Sequence, residues 1–442
     1  MKSKLPNLCN KKLIISIFFV LATYNMIAQN RIDTTNNNKS KTELDSLNEL
    51  DSLKIAETIL EKTIVQKLNA EGVLSKRLIE QFGYGGFVVA DQNTKISIGG
   101  LIIGNAYQDF REMTSENRFA ISKIPSNASE ELRTRFDVGN SRFFINSDIH
   151  TEILDYKTRF EFDFFSGSGE YVFRFRHAFV EFGRFGVGFT NSIFGNIDIT
   201  PDIIDNGGAP SEIGSRQTQI RYIHPLSSTT RFAVSLEDCE GTVLKNDTVT
   251  PSTRISPDIA ANFRYKPEYS NISQFHIAGV IHPLEYEQKS NPFTGRFGWG
   301  VNAGAALNLV GMDYLSCQLF YSNGATKYIN DPIVPYDAII ETNLDSVLEI
   351  TPVKMFGAFF YYHHRWSENY ASNVGYSYIS GDRNQFSSNS QEIEGYYVSA
   401  NIIYYPNNKM SFAFEPIWGM RKNIDGKTAF NLRVQLQVKF SF

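Results

Sequence analysis

Residues 159–176 read RFEFDFFSGSGEYVFRFR: arginine and carboxylate alternate with phenylalanine on both sides of a serine-glycine turn. In an extended strand successive side chains point to opposite faces. Arg159, Glu161 and Asp163 therefore share one face, with Phe160, Phe162 and Phe164 on the other, and Arg174 and Arg176 oppose Phe173 and Phe175 in the same way. A guanidinium presents a planar fork of donors that matches a carboxylate or another oxyanion. A file of such forks, steadied by two carboxylates, could form the charged wall of an aqueous passage. The phenylalanine face must meet something apolar.

Other chemistry is not indicated. His363 and His364 are adjacent, so they point to opposite faces of a strand and make a poor metal pair. No metal-ligand spacing, phosphate loop or dinucleotide fingerprint appears, and no spacing fixes a Ser-His triad. No cofactor, metal or enzymatic activity is expected. A formal net charge of -4 and a pI near 6.0 give no bulk footprint for nucleic acid.

The elements that must position these arginines are strands. Phe (35) and Tyr (22) are abundant, yet mean hydropathy is -0.25. That balance suits a membrane barrel, whose lumen-facing residues offset its lipid-facing ones. After the first residues, no stretch reaches the ~18 apolar residues of a spanning helix. Residues 1–28 read as a secretory signal peptide: Lys2, Lys4, Lys11 and Lys12 precede an apolar run from Leu13 to Ala22, with cleavage after Ala28. Cys9 precedes that run, so no lipoprotein site is expected, and Cys239 and Cys317 alone make no disulfide framework. Residues 29–43 read as a flexible linker. Residues 44–82 carry Leu44, Leu47, Leu53, Ala56, Leu60, Ile64 and Leu68 at helical spacing, which suggests a short periplasmic coiled coil or a single amphipathic helix.

Residues 95–442 read as all-β, a transmembrane antiparallel barrel of about sixteen strands, one of them continuous over 134–150. The connections alternate between tight turns and long loops, the latter near 111–133, 195–213, 238–257, 283–295, 324–351 and 382–391. That parity is what a barrel with short periplasmic turns and long external loops requires. The last strand shows the two faces most clearly: Phe430, Leu432, Val434, Leu436, Val438, Phe440 and Phe442 oppose Asn431, Arg433, Gln435, Gln437, Lys439 and Ser441. Phe297, Trp299, Val301 and Ala303 likewise oppose Gly298, Gly300, Asn302 and Gly304. In the Phe-rich hairpin, the turn at Ser166–Gly169 predicts Phe160 beside Phe175, Phe162 beside Phe173, Glu161 beside Arg174 and Arg159 beside Arg176. Cross-strand aromatic and opposite-charge pairs contribute ~0.2–1 kcal/mol each.

The order of NSRFFIN, YVFRFRHAFVEFG, TNSIFGNIDITPDIIDNGG and RQTQIRYI, with IGGLI before them, resembles the core of the DcaP-like outer-membrane porins. The resemblance covers about a hundred residues, from Gly139 to Glu237. It implies a homotrimer of sixteen-stranded barrels with an N-terminal periplasmic coiled coil, passing small anionic solutes, dicarboxylates among them. It implies lumen or constriction roles for Arg142, Arg174, Arg176, Arg216 and Arg221. It also implies that the loop from Gly195 to Ile213, with Asn196, Asp198, Asp202 and Asp205, folds into the channel. The terminal aromatics Phe440 and Phe442 resemble the signal that outer-membrane assembly machinery reads. The heptads of residues 44–82 depart from a clean trimer-forming coil.

Independently of that resemblance, the alternation puts Arg142, Arg159, Arg174, Arg176, Arg216, Arg221, Arg231, Arg264, Lys266, Arg296, Lys354, Arg433 and Lys439 on the lumen side. They face Asp148, Glu161, Asp163, Glu237 and Glu415, so the wall is net basic. Such a wall would admit small anions, and outer-membrane lipid would cover the outside. The competing reading is a receptor or adhesin barrel, with a narrow or plugged lumen and binding carried by its long loops.

Overall fold

The computed structural model describes residues 86–442 apart from 91–92, 246–247, 252–255, 269, 271, 289–290, 343–347 and 383–390. The expected signal peptide, linker and helix (1–82) lie outside the described residues. Sixteen antiparallel strands form the wall. They are β1 (Thr94–Arg111), β2 in two segments (Glu130–Asp137 and Arg142–Ile149), β3 (Tyr156–Phe165), β4 (Tyr171–Phe182), β5 (Phe185–Asn191), β6 (Arg216–Pro225), β7 (Thr230–Glu237) and β8 (Asp258–Tyr265). They continue with β9 (Gln274–Gln288), β10 (Asn291–Asn308), β11 (Tyr314–Asn323), β12 (Lys354–Arg365), β13 (Tyr370–Gly381), β14 (Glu392–Asn407), β15 (Met410–Asn423) and β16 (Thr428–Ser441). β16 pairs with β1 from Leu101↔Ser441 to Asp109↔Arg433, which closes the barrel and leaves no open edge.

The seam explains the glycine pair of IGGLI. Gly100 and Phe442 exchange two backbone hydrogen bonds of 3.1 Å. A Cβ on Gly100 would lie 2.4 Å from the Arg142 carbonyl oxygen and 2.7 Å from the Phe442 ring. Beyond the C-terminus the row continues with a short strand, Gly86–Ala90, which pairs with Gly99–Lys95.

The two-faced alternation holds. Phe430, Leu436, Val438, Phe440 and Phe442 are exposed on the outside, whereas Asn431, Arg433 and Gln435 are wholly buried inside. Three expectations need correction. The stretch 283–295 is not a long loop: β9 and β10 pair as far as Gln288↔Asn291, extending one hairpin beyond its neighbours. β2 is not continuous but breaks at Val138–Ser141, where the Ser141 hydroxyl accepts the Ile103 N–H at 3.0 Å.

The third correction is the register of the Phe-rich hairpin. Glu161 faces His177, while Phe162 faces Phe175 and Asp163 faces Arg174, so Arg176 is an extra, bulged residue. The expected register would have set Arg159 directly opposite Arg176, a destabilising like-charge pair. The bulge instead places Glu161 between them. The phenylalanines still cluster outside, with Phe162–Phe173 centroids 5.0 Å apart and Phe160–Phe175 5.6 Å.

The apolar core lies inside the barrel. Ile193, Phe194 and Ile213 from one long loop, and Tyr328, Ile329 and Val334 from another, pack on Ala233, Ala260, Ala278, Val280 and Phe320 of the inner wall. Four further short strands, Thr242–Lys245, Thr248–Pro251, Ala338–Thr342 and Leu348–Pro352, form a separate small sheet from the long loops.

Candidate functional site

The loop between β5 and β6 (residues 192–215) never leaves the barrel. Its two roots are joined by the Ser192 N–H to the Ser215 carbonyl at 3.0 Å. From there it follows the inner wall, and each strand it crosses supplies a polar anchor. Asn262 on β8 donates to the Ile193 carbonyl at 2.7 Å and Asn302 on β10 to the Phe194 carbonyl at 2.9 Å. Gln274 on β9 donates to the Asp198 carbonyl at 3.0 Å. Glu415 on β15 accepts the N–H groups of Ile204 and Asp205 at 3.0 and 2.9 Å. Gln435 on β16 donates to the Ile204 carbonyl at 2.8 Å. On the return, Gln318 on β11 donates to the Ser211 carbonyl at 2.8 Å.

Glycines on that inner wall make the approach possible. A Cβ at Gly304 would lie 2.1 Å from Ile199 Cδ1, and one at Gly300 would lie 2.9 Å from the Phe194 ring. Gly298, Gly300, Asn302 and Gly304 alternate on one face of β10. That stripe is the sequence signal for an inward loop that patterning alone passed over.

The four polar loop residues singled out from sequence serve mostly as anchors. The Asn196 amide oxygen accepts the Asp198 N–H at 3.2 Å. Asp198 lies 3.8 Å from Arg264, whose guanidinium also donates to the Gly195 carbonyl at 3.0 Å. Asp202 accepts from the Tyr314 hydroxyl at 2.8 Å. Asp205 accepts the N–H of Phe119 and of Gly207, each at 3.0 Å, and the Tyr397 hydroxyl at 3.1 Å. Burial pushes the Asp205 carboxyl above its ordinary range, against the lowering effect of those two N–H groups.

The opposite quadrant, β2 to β6, is not covered by the loop, and there the arginines converge. Arg174 grips Asp163 through two bonds of 2.7 and 2.6 Å. Arg176 bridges Glu161 at 2.7 Å and Asp163 at 3.0 Å. Arg159 reaches Glu161 at 2.6 Å, and Arg142 approaches it at 3.8 Å. Both carboxylates are buried. The partners differ from expectation: Arg174 takes Asp163 rather than Glu161, a direct result of the bulge. Arg216, at the start of β6, makes no ion pair among the described residues. Arg221 is displaced from this group; it pairs with Glu181 and stacks 4.3 Å from the Phe179 ring. Arg433 leaves the lumen surface entirely, buried against Asp109 at 2.7 and 2.8 Å.

Between wall and loop lies a cavity of about 230 Å³. Arg142, Arg174, Arg176 and Arg216 line one side, and residues 200–208 of the loop line the other. Leu101 and Ile103 of β1 contribute an apolar strip. Five arginines (Arg142, Arg159, Arg174, Arg176 and Arg216) stand against two carboxylates, Glu161 and Asp163, in this cluster. Among the described residues no group of three or more His, Cys, Asp or Glu is placed to hold a metal ion.

The family model for the DcaP outer membrane protein matches residues 32–442. The chain belongs to the DcaP outer membrane protein family. Among solved structures, the outer membrane channel DcaP of Acinetobacter baumannii aligns at 19% identity with a TM-score of 0.68, over 81% of this chain and all of that one. The anion-selective porin from Comamonas acidovorans aligns at 10% identity with a TM-score of 0.53, over 79% of this chain and all of that one. OmpT of Vibrio cholerae aligns at 9% identity with a TM-score of 0.50, over 80% of this chain and 99% of that one. No curated protein matches. The fold is thus that of outer-membrane porins, and the family places the protein in a Gram-negative outer membrane.

Proposed function

We propose that the protein is a passive diffusion channel that favours small anions, dicarboxylates included. The observation that carries this is the charge excess in the open quadrant's cluster: five guanidiniums against two carboxylates, facing a loop whose Asp202 and Asp205 are occupied as anchors. In a narrow aqueous passage with low-dielectric walls such an excess raises the local concentration of anions. The long-loop end faces outside, and residues 1–28 act as the export signal. Phe440 and Phe442 lie on the outer face at the seam, where assembly machinery could read them.

A homotrimer fits one side of the barrel. Most of the outer belt is aromatic or aliphatic, but β1–β3 carry polar pairs there. The Thr134 hydroxyl donates to Gln108 at 2.6 Å, and Ser147 and Thr158 share a hydrogen bond of 2.6 Å. Gly104 leaves open space beside them. Such a face suits contact with a second copy better than contact with lipid tails.

Uptake into proteoliposomes tests the transport reading. Succinate should enter several-fold faster than a diamine of similar size. Equal rates would remove the anion preference. No uptake of either would favour the competing receptor reading, with a plugged lumen.

A further inference from the structure

We infer that the channel holds one discrete oxyanion seat and that Arg216 is its specificity-determining residue; the inference rests on the anion-channel reading above. The arginines of the open quadrant look alike in sequence but differ in their electrostatic partners. Asp163 holds Arg174 and Arg176, and Glu161 holds Arg176 and Arg159 with Arg142 at 3.8 Å. Each of those carboxylates is already shared by at least two guanidiniums.

Arg216 is placed differently. It sits at the root of the inner loop, opposite Asn191 on β5, and it lines the cavity. It makes no ion pair among the described residues, and its Nε is buried without a hydrogen-bond partner. Its strongest charged neighbours are Arg176, Arg174 and Arg142, of like sign, with Glu161 opposing them more weakly. A half-buried guanidinium among three others, with an unused donor, is a site that an oxyanion would complete. A carboxylate or an inorganic oxyanion can take both edges of a planar fork, and binding there would relieve like-charge repulsion among the four arginines. Arg174 and Arg176, held by Asp163 and Glu161, set the surrounding potential rather than grip the solute.

A seat makes transport saturable, which a uniformly charged wall does not. The test is single-channel conductance of the purified full-length protein in planar bilayers, with potassium acetate as the probe, for the parent protein, Arg216→Gln, Arg216→Lys and Arg174→Gln. The folded state of each is checked by its shift in gel mobility on boiling. Conductance of the parent should saturate with acetate. Arg216→Gln should raise the half-saturating concentration at least threefold, and Arg216→Lys should fall between, because it keeps the charge and loses the fork. Arg174→Gln should lower anion preference while leaving saturation in place. A parent conductance linear in acetate, or saturation unchanged in folded Arg216→Gln, overturns the seat while leaving anion preference standing. A cation-preferring parent would instead remove the underlying channel reading.

Discussion

The two halves of the barrel interior are built from the same alternating pattern and end in opposite conditions. From β8 around to β16, inward polar groups meet the backbone of the inner loop: Asn262, Gln274, Asn302, Glu415 and Gln435 each take a loop N–H or carbonyl. In the cluster from Arg142 on β2 to Arg216 on β6, charged groups meet one another, and positive charge is left over. The first half uses polarity to satisfy a buried backbone, where an unpaired group costs ~1–3 kcal/mol. The second keeps its polarity for the passage. A polar inward face is thus not by itself a lumen surface; what the loop covers decides which half a solute meets.

The largest effect should come from the covered half. Asp109→Ala would leave Arg433 buried without its carboxylate, a change that costs ~3–5 kcal/mol in comparable sites. The temperature at which the folded band disappears on gels should fall markedly, with little change in ion preference. Next, Glu415→Ala would strip the acceptor from the N–H groups of Ile204 and Asp205, at ~1–3 kcal/mol for each group left unpaired. The loop should loosen, seen as added noise and larger open-state conductance. Smaller in stability but opposite in kind, Asp163→Asn in the open half should increase anion preference by releasing Arg174 and Arg176. If Glu415→Ala changed selectivity and Asp163→Asn did not, the division between the halves would be reversed. The smallest effect is expected outside: Ser147→Ala with Thr158→Ala should cost ~0.2–1 kcal/mol as a cross-strand pair, read from urea unfolding of the purified protein.

Much of this fold is legible residue by residue. Phe430 to Phe442 against Asn431 to Ser441 announces a two-faced strand, and the parity of turn lengths announces a barrel, because period-two burial is a local property. The residues of the arginine cluster are legible for the same reason. Their pairing is not. The bulge leaves the consecutive residues Arg176 and His177 both buried, a switch of face that simple alternation cannot resolve. Asp202 and Asp205 are legible as loop residues, but their partners Tyr314 and Tyr397 lie more than a hundred positions away and are not. The 283–295 stretch carries Pro283 and Pro292, which punctuate a sequence like a loop, yet it pairs all the same. Gly300 and Gly304 carried the missing information, since glycines stacked on an inner face mark where another chain segment must lie.

The central claim is that the open quadrant's excess of arginine sets the sign of what passes. Its most direct test is the zero-current potential of the purified protein in a planar bilayer under a potassium chloride gradient, measured for the parent and for Arg174→Gln with Arg176→Gln. The account predicts a potential of the sign given by chloride passing faster than potassium, shifted toward zero or beyond in the double variant. A parent that prefers potassium, or a preference for chloride unchanged by the double variant, would contradict it.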